Sequence, residues 1–190
     1  MTPAQPFQID VPQALTHRIA QRLEGYEWPR LPAGEPWKMG MDEGGLRGLV
    51  DHWLHGFDAA AHLQRLNRQP QYRAQAGGIG LHFVHHRGQG DRGLPLVLLH
   101  GWGLHGGVFD RVAANLEADF CLHLVDLPGH GASAAAAQFD AAAIADALAG
   151  HFPLPVHLLG WSLGGLIAQH WAAQHPQQVR SLALVATSPR

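Results

Sequence analysis

The residues with the clearest capacity for chemistry lie at Gly160-Trp161-Ser162-Leu163-Gly164, a G-x-S-x-G pattern. The apolar run Val156 to Leu159 precedes it, and Leu166-Ile167-Ala168-Gln169-His170-Trp171-Ala172 follows as a good helix, so Ser162 stands on a strand-to-helix turn. Such a turn is tight enough to hold its central residue in a strained backbone conformation. Side chains two residues to either side would collide, which is the reason for Gly160 and Gly164. The expected result is a serine hydroxyl exposed at a helix N-terminus, where free amides and the helix dipole favour negative charge. This is nucleophile chemistry on a carbonyl, with the Leu163 amide aimed where an oxyanion would form. A chain with 23 glycines meets the bare pattern by chance. The strand before it and the helix after it carry the reading.

An oxyanion needs a second donor. His100-Gly101-Trp102-Gly103 follows the apolar run Leu94 to Leu99, and the amide of Trp102 is the expected second donor, with His100 and Gly101 supporting its loop. Losing one such donor typically costs about 3 to 4 kcal/mol of barrier. The serine also needs a base within about 3 Å and an acid to orient that base, following the serine in the order acid then histidine. After Asp146 the sequence holds no Asp or Glu, and its later histidines are His170 and His175. Both lie on the helix running away from the turn, His170 about 12 Å along it. His100 and His105 sit beside the turn, but without an acid to set their tautomer they are read as structural. The expectation is therefore a chain that stops before its acid and base, as a fragment or truncated product. Its last strand, Leu182 to Val185, is expected to be an unpaired edge prone to self-association.

Thirteen basic and fifteen acidic residues, with no block of either sign, provide no footprint for nucleic acid. Fifteen histidines invite a metal reading through His52 and His55 or through His85 and His86. Adjacent strand residues point to opposite faces, so His85 and His86 cannot share an ion, and His52 with His55 lacks a third ligand at metal spacing. No metal site is expected. The single cysteine, Cys121, excludes an intrachain disulfide. With no charged start followed by an apolar stretch and no membrane-length apolar run, a cytoplasmic chain without membrane contact is expected.

The elements that must position these groups fall on either side of a polar connector at residues 89–93. Before it, helical periodicity runs from Ala14 to Leu23, Leu46 to Trp53 and Ala60 to Leu66, and a short strand from Ile79 to Val84 closes a segment assigned to residues 1–88. After it, from residue 94 to 190, strands and helices alternate. These are Leu94 to Leu99, a helix at Val108 to Leu116, Cys121 to Val125, and an Ala-rich helix drawn from Ala132 to Ala149 with Phe139, Ile144 and Leu148 as its stripe. Val156 to Leu159 and Leu182 to Val185 continue the series. Short apolar runs separated by helices imply an α/β fold, a parallel sheet with helices on both faces, with function at the strands' carboxyl ends.

The stretches LVLLHGWGLHGGVFD, LHLVDLPGHGAS, LLGWSLGGL and HPQQVRSLALVATSP together resemble the first half of an α/β-hydrolase fold, most specifically the pimeloyl-carrier-protein methyl ester esterases. That resemblance implies a carboxylesterase acting on a short acyl methyl ester, free or on an acyl carrier, with no cofactor. It implies Ser162 as nucleophile, Trp102 and Leu163 as oxyanion donors, and Trp102 also as a wall of the acyl pocket. Asp126, His130 and Gly131 of DLPGHG become a structural turn. FQIDVP, RLEGYEWP, LVDHWLHGFD, RLNRQPQY and GIGLHFVHHRG resemble instead the N-terminal segment of microsomal-type epoxide hydrolases, which wraps the catalytic domain and carries no nucleophile. Chemistry separates the two implications. A carboxylate opens an epoxide to an ester that water can cleave, whereas a serine would give an ether that it cannot. The lid tyrosines of those enzymes also have no counterpart after Tyr26 and Tyr72, so acyl transfer is the better expectation and a non-catalytic binding fragment the remaining one.

Overall fold

The computed structural model describes residues 3–29, 34–35, 37–38, 40–86, 95–152 and 154–188. Contacts divide the chain into two compact units, Ile9–Arg68 and a larger one of Met1–Gln8 with Gln69–Arg190. The connector expected at 89–93 lies outside the described residues, and the division by contacts falls earlier, at residues 68 and 69.

The larger unit is built on one seven-stranded sheet: β1 (Gln5–Phe7), β2 (Gln71–Ala76), β3 (Ile79–His86), β4 (Pro95–Leu99), β5 (Cys121–Asp126), β6 (Val156–Trp161) and β7 (Val179–Val185), in the order β1-β2-β3-β5-β4-β6-β7. The four strands β5, β4, β6 and β7 run parallel, while β1, β2 and β3 join antiparallel. The strands expected to be parallel, those of residues 94–190, are so, and the sheet is mixed because β1, β2 and β3 join it antiparallel. The cause is local: Gly77 and Gly78 both take positive φ (55° and 81°), the two-residue turn that folds β2 straight back on β3. Neither β1 nor β2 is visible in the sequence as an apolar run.

Alternation along the strands supplies both faces with core. Val97 and Leu99 of β4 pack with Ile144 and Leu148 of helix α5 (Ala141–His151) and with Ile167 and Trp171 of helix α6 (Leu163–Gln174). Leu96 and Leu98 pack on the other face with Leu122, Leu124, Phe109 and Ala113, the last on helix α4 (Asp110–Leu116). Sheet residues i and i+2 share a face, so one five-residue strand feeds two separate cores. Helix α5 begins later than its alanines suggest. The Asp140 side chain accepts from the amides of Ala142 (2.9 Å) and Ala143 (3.2 Å), and Phe139, expected in the apolar stripe, lies before the helix and is exposed. The helix expected at Val108 opens instead as a 3-10 turn over Gly106–Phe109. β7 stands at the sheet's edge with Leu182, Leu184 and Val185 exposed.

The unit Ile9–Arg68 holds α1 (Gln13–Glu24), α2 (Glu43–His55) and α3 (Ala59–Asn67), none of which fully buries a residue. Asp42 and Asp58 cap α2 and α3 through the amides of Gly45 (2.7 Å) and Ala61 (2.8 Å). Asn67 closes the unit by clamping both backbone groups of Ile9 at 2.8 Å. Among the described residues no helix is long and apolar enough to cross a membrane.

Candidate active site

Ser162 sits between β6 and α6 with φ 52° and ψ −113°, a backbone region that costs a side-chain-bearing residue about 1 to 3 kcal/mol. Its neighbours hold it there. Its amide donates to the Val185 carbonyl of β7 (2.9 Å), and its carbonyl accepts from the amides of Gly165 (3.0 Å) and Leu166 (3.2 Å). The glycine requirement is steric, as expected. A Cβ on Gly160 would lie 2.7 Å from the Gly165 nitrogen, and one on Gly164 would run into the Leu99 and His100 carbonyls. Helix α6 therefore starts pressed onto the end of β4, and Ser162 is left exposed.

The loop after β4 meets this turn directly, since a Cβ on Gly101 would lie 3.5 Å from the Ser162 Cβ. The amide of Leu163 belongs to the first turn of α6, where amides have no partner inside the helix. Among the described residues neither it nor the Trp102 amide is engaged by an acceptor. The indole of Trp102 is 74% exposed and lines a cavity of about 500 Å³ with Leu104, Pro128, His130, Ala136 and Phe139. Ser162 does not line that cavity.

His100 is fully buried, and both its nitrogens are used. The Leu127 amide donates to Nε2 (3.0 Å), so Nδ1 carries the proton and donates to the Gly101 carbonyl (2.8 Å). Burial, more than any other influence, lowers its pKa from the ordinary histidine value. A neutral imidazole with both edges committed pins the loop after β4 to the turn after β5 and cannot serve as a base. His105 is likewise structural, its Nδ1 accepting from the Gly107 amide at 3.2 Å to start the 3-10 turn.

Asp126, at the end of β5, organises the surroundings. Its carboxylate accepts from the amides of Gly106 (2.7 Å) and Ala132 (2.8 Å) and from His82 Nδ1 (2.8 Å). Burial alone would raise its pKa, but those hydrogen bonds outweigh it and hold the carboxyl below the ordinary range. A Cβ on Gly131 would strike this carboxylate, which explains the glycine in DLPGHG and agrees with reading that stretch as architecture. His82 continues to Gln71 Oε1 (3.0 Å) on β2. Sequence reasoning missed Gln71 because β2 was not recognised as a strand, and missed His82 because the strand from Ile79 to Val84 was assigned to the N-terminal segment and not paired with β5. The alternation in Leu81-His82-Phe83-Val84 is the one local signal that could have found His82.

No histidine hydrogen-bonds the Ser162 hydroxyl among the described residues. His175 pairs with Asp146 at 2.7 Å, but His175 follows the end of α6, about 20 Å along the helix from Ser162. His85 and His86 part as expected, His86 going to Glu117 (3.5 Å). What the sequence did not show is that His85 meets Cys121 and His123 across the β3–β5 pair.

Comparison with known proteins agrees with this architecture. The family model for the alpha/beta hydrolase fold matches residues 95–190, and the model for the epoxide hydrolase N terminus matches residues 4–105. The chain belongs to the α/β-hydrolase fold family, with an epoxide-hydrolase-type N-terminal part. Among its relatives, a pimeloyl-[acyl-carrier protein] methyl ester esterase of Chromobacterium violaceum is 69% identical over 108 residues, 57% of this chain and 41% of that protein. The esterase of the same name from Vibrio parahaemolyticus is 50% identical over 99 residues, 52% of this chain and 39% of that protein. The matched stretch thus spans about two fifths of these relatives' lengths. A juvenile hormone epoxide hydrolase from the silkworm Bombyx mori superposes over 97% of this chain and 53% of its own, with a TM-score of 0.81 at 24% identity. That last likeness is one of fold.

Proposed function

We propose that this chain carries the nucleophile and oxyanion hole of a serine carboxylesterase acting on short acyl methyl esters, free or attached to an acyl-carrier protein. The observation that carries the reading is the strained, exposed Ser162 at the head of α6 with the unengaged amides of Leu163 and Trp102 beside it. In the reaction, Ser162 Oγ adds to the ester carbonyl as its proton passes to a base, and the two amides hold the tetrahedral oxyanion. Collapse expels methanol, which takes the proton, and leaves an acyl-serine. Water then cleaves that ester, returning the acid and the free serine. The base and its acid partner are not supplied to Ser162 by any described residue, so the chain by itself is expected to work at the level of an oxyanion hole and binding, roughly three orders above water. The match of residues 95–190 and the esterase relatives support an ester substrate. The matching N-terminal part favours an epoxide, but a serine there would stop at an ether.

Fluorophosphonate labelling followed by peptide mass spectrometry tests the reading. With no base beside Ser162 the expected adduct forms slowly, on Ser162, and is absent from Ser162→Ala; no adduct even on prolonged exposure, or one retained in that variant, overturns it. Pairing of copies along the exposed apolar edge of β7 belongs to the same proposal, and Leu184→Lys is expected to restore a monomer in sedimentation.

A further inference from the structure

Strands β3 and β5 pair antiparallel with His85 opposite His123, and directly opposed residues share one face of a sheet. Cys121, two residues before His123, lies on that face as well. The result is a cluster of three metal-ligating side chains. His85 Nε2 is 3.1 Å from Cys121 Sγ, Cys121 Sγ is 3.8 Å from His123 Nε2, and the three donor atoms all lie within 4.8 Å of one another. Tetrahedral zinc, with bonds of about 2.3 Å to sulfur and about 2.0 Å to nitrogen, sets sulfur and nitrogen about 3.5 Å apart. The two observed separations bracket that value.

Two further features make this a prepared arrangement. The His85 and His123 rings stack at 4.3 Å with planes 16° apart, and Phe152 stands edge-on to His123 at 4.9 Å, so both imidazoles are held in orientation. Nδ1 of His123 is buried without a hydrogen-bond partner among the described residues, which leaves Nε2, the atom facing the thiol, as the ring's polar outlet. All three residues are half-buried, so an ion can enter from solvent.

We propose that His85, Cys121 and His123 form a binding site for a borderline-soft divalent cation, zinc first, held by one thiolate and two imidazoles with a fourth position taken by water. Binding forms the Zn–S bond as the Cys121 thiol releases its proton to solvent. Thiolate with imidazole selects zinc or another late first-row ion over magnesium or calcium, which prefer oxygen. The site opens β5, whereas Asp126 at the strand's other end supports the Ser162 corner. Five residues of strand separate the two by about 17 Å. The ion therefore clamps the antiparallel part of the sheet to the parallel part and takes no part in ester cleavage.

Cys121 is the sole cysteine, which makes the test clean. The full chain, stripped with chelator, is titrated with zinc while Cys121 reacts with a chromogenic disulfide. One equivalent of zinc is expected to slow that reaction at least tenfold, with chelator restoring it. One equivalent of cobalt(II) is expected to give a thiolate-to-metal charge-transfer band that is missing from Cys121→Ser. His85→Gln and His123→Gln are each expected to weaken zinc at least tenfold, and Ser162→Ala to leave it unchanged. A thiol rate indifferent to one equivalent of zinc overturns the proposal, as does a cobalt band surviving in Cys121→Ser. The zinc protection and cobalt measurements on the unmodified chain decide the matter even if a variant fails to fold.

Discussion

The two ends of this sheet contrast in how their chemistry is assembled. At the carboxyl ends of β4 and β6, the Ser162 corner is marked by contiguous residues: Gly160 leaves no room for a Cβ against Gly164 and Gly165, Gly164 none against Leu99 and His100 and Gly165 none against Thr187, and the turn that results sets φ, exposure and helix start together. At the amino end of β5, His85, Cys121 and His123 come from two strands and meet only because β3 enters the sheet antiparallel in one register. Sliding β3 by one residue would turn His85 to the other face and bring His86 in its place. The residues of the first site lie within one hexapeptide packed against neighbouring strand ends, and those of the second meet only through the pairing of distant strands.

Four substitutions sharpen this contrast. The largest effect is expected at Gly164, where a methyl group meets backbone carbonyls that cannot move without breaking β4: Gly164→Ala should cost about 4 kcal/mol in urea unfolding and abolish Ser162 labelling. Loss of only about 1 kcal/mol would show the corner to be more plastic than its packing implies. Next, Asp126→Asn places an amide donor against donor amides of Gly106 or Ala132 and removes a buried charge that three groups satisfy. A loss of about 3 kcal/mol is expected, with the thiol reactivity of Cys121, at the far end of the same strand, unchanged.

The third effect is in pH. Buried His100 titrates below the ordinary value, while Asp126 facing it pulls the pKa up and His130 and His105 push it down. Its folded-state pKa lies below that of the unfolded chain, near 6.5, so the native state binds fewer protons and stability is full above that pH. It falls as the pH drops from about 6.5 toward the folded value, at up to about 1.4 kcal/mol per unit. His100→Asn should flatten this slope between pH 7.5 and 5 in urea titrations; an unchanged slope would assign it to other histidines. The smallest effect is a gain: Ser162→Gly relieves the positive φ and should stabilise the fold by about 1 kcal/mol while removing the fluorophosphonate adduct. A destabilised Ser162→Gly would mean the strain is not stored at this residue.

Much of the parallel part of the sheet was legible. β4, β5 and β6 appear as apolar runs because each is covered by core or helix along most of its length, β7 is an apolar run although it lies exposed at the sheet's edge, and the glycines of the elbow mark a turn that few other residues permit. β2 was not legible, because Gln71-Tyr72-Arg73-Ala74-Gln75-Ala76 buries small or polar side chains and so lacks an apolar signature. The alanines of residues 132–139 suggested helix by propensity, yet this stretch is claimed by the Asp126 network, with Ala132 donating to the carboxylate, the Ser133 hydroxyl donating to the Asp126 carbonyl and the Ala134 amide to Gly80. Tertiary hydrogen bonds overrode a preference worth tenths of a kcal/mol per residue.

By itself the sequence determined the elements of the parallel sheet and the place of the serine, because periodicity, capping and the steric needs of a tight turn act over a few residues. The tertiary structure alone decided that the sheet is mixed, that His82 and Asp126 join His100 in bracing the loop after β4, and that His85, Cys121 and His123 share one face. Each of these depends on strand order and register, and those are fixed by which side chains the whole fold can bury together.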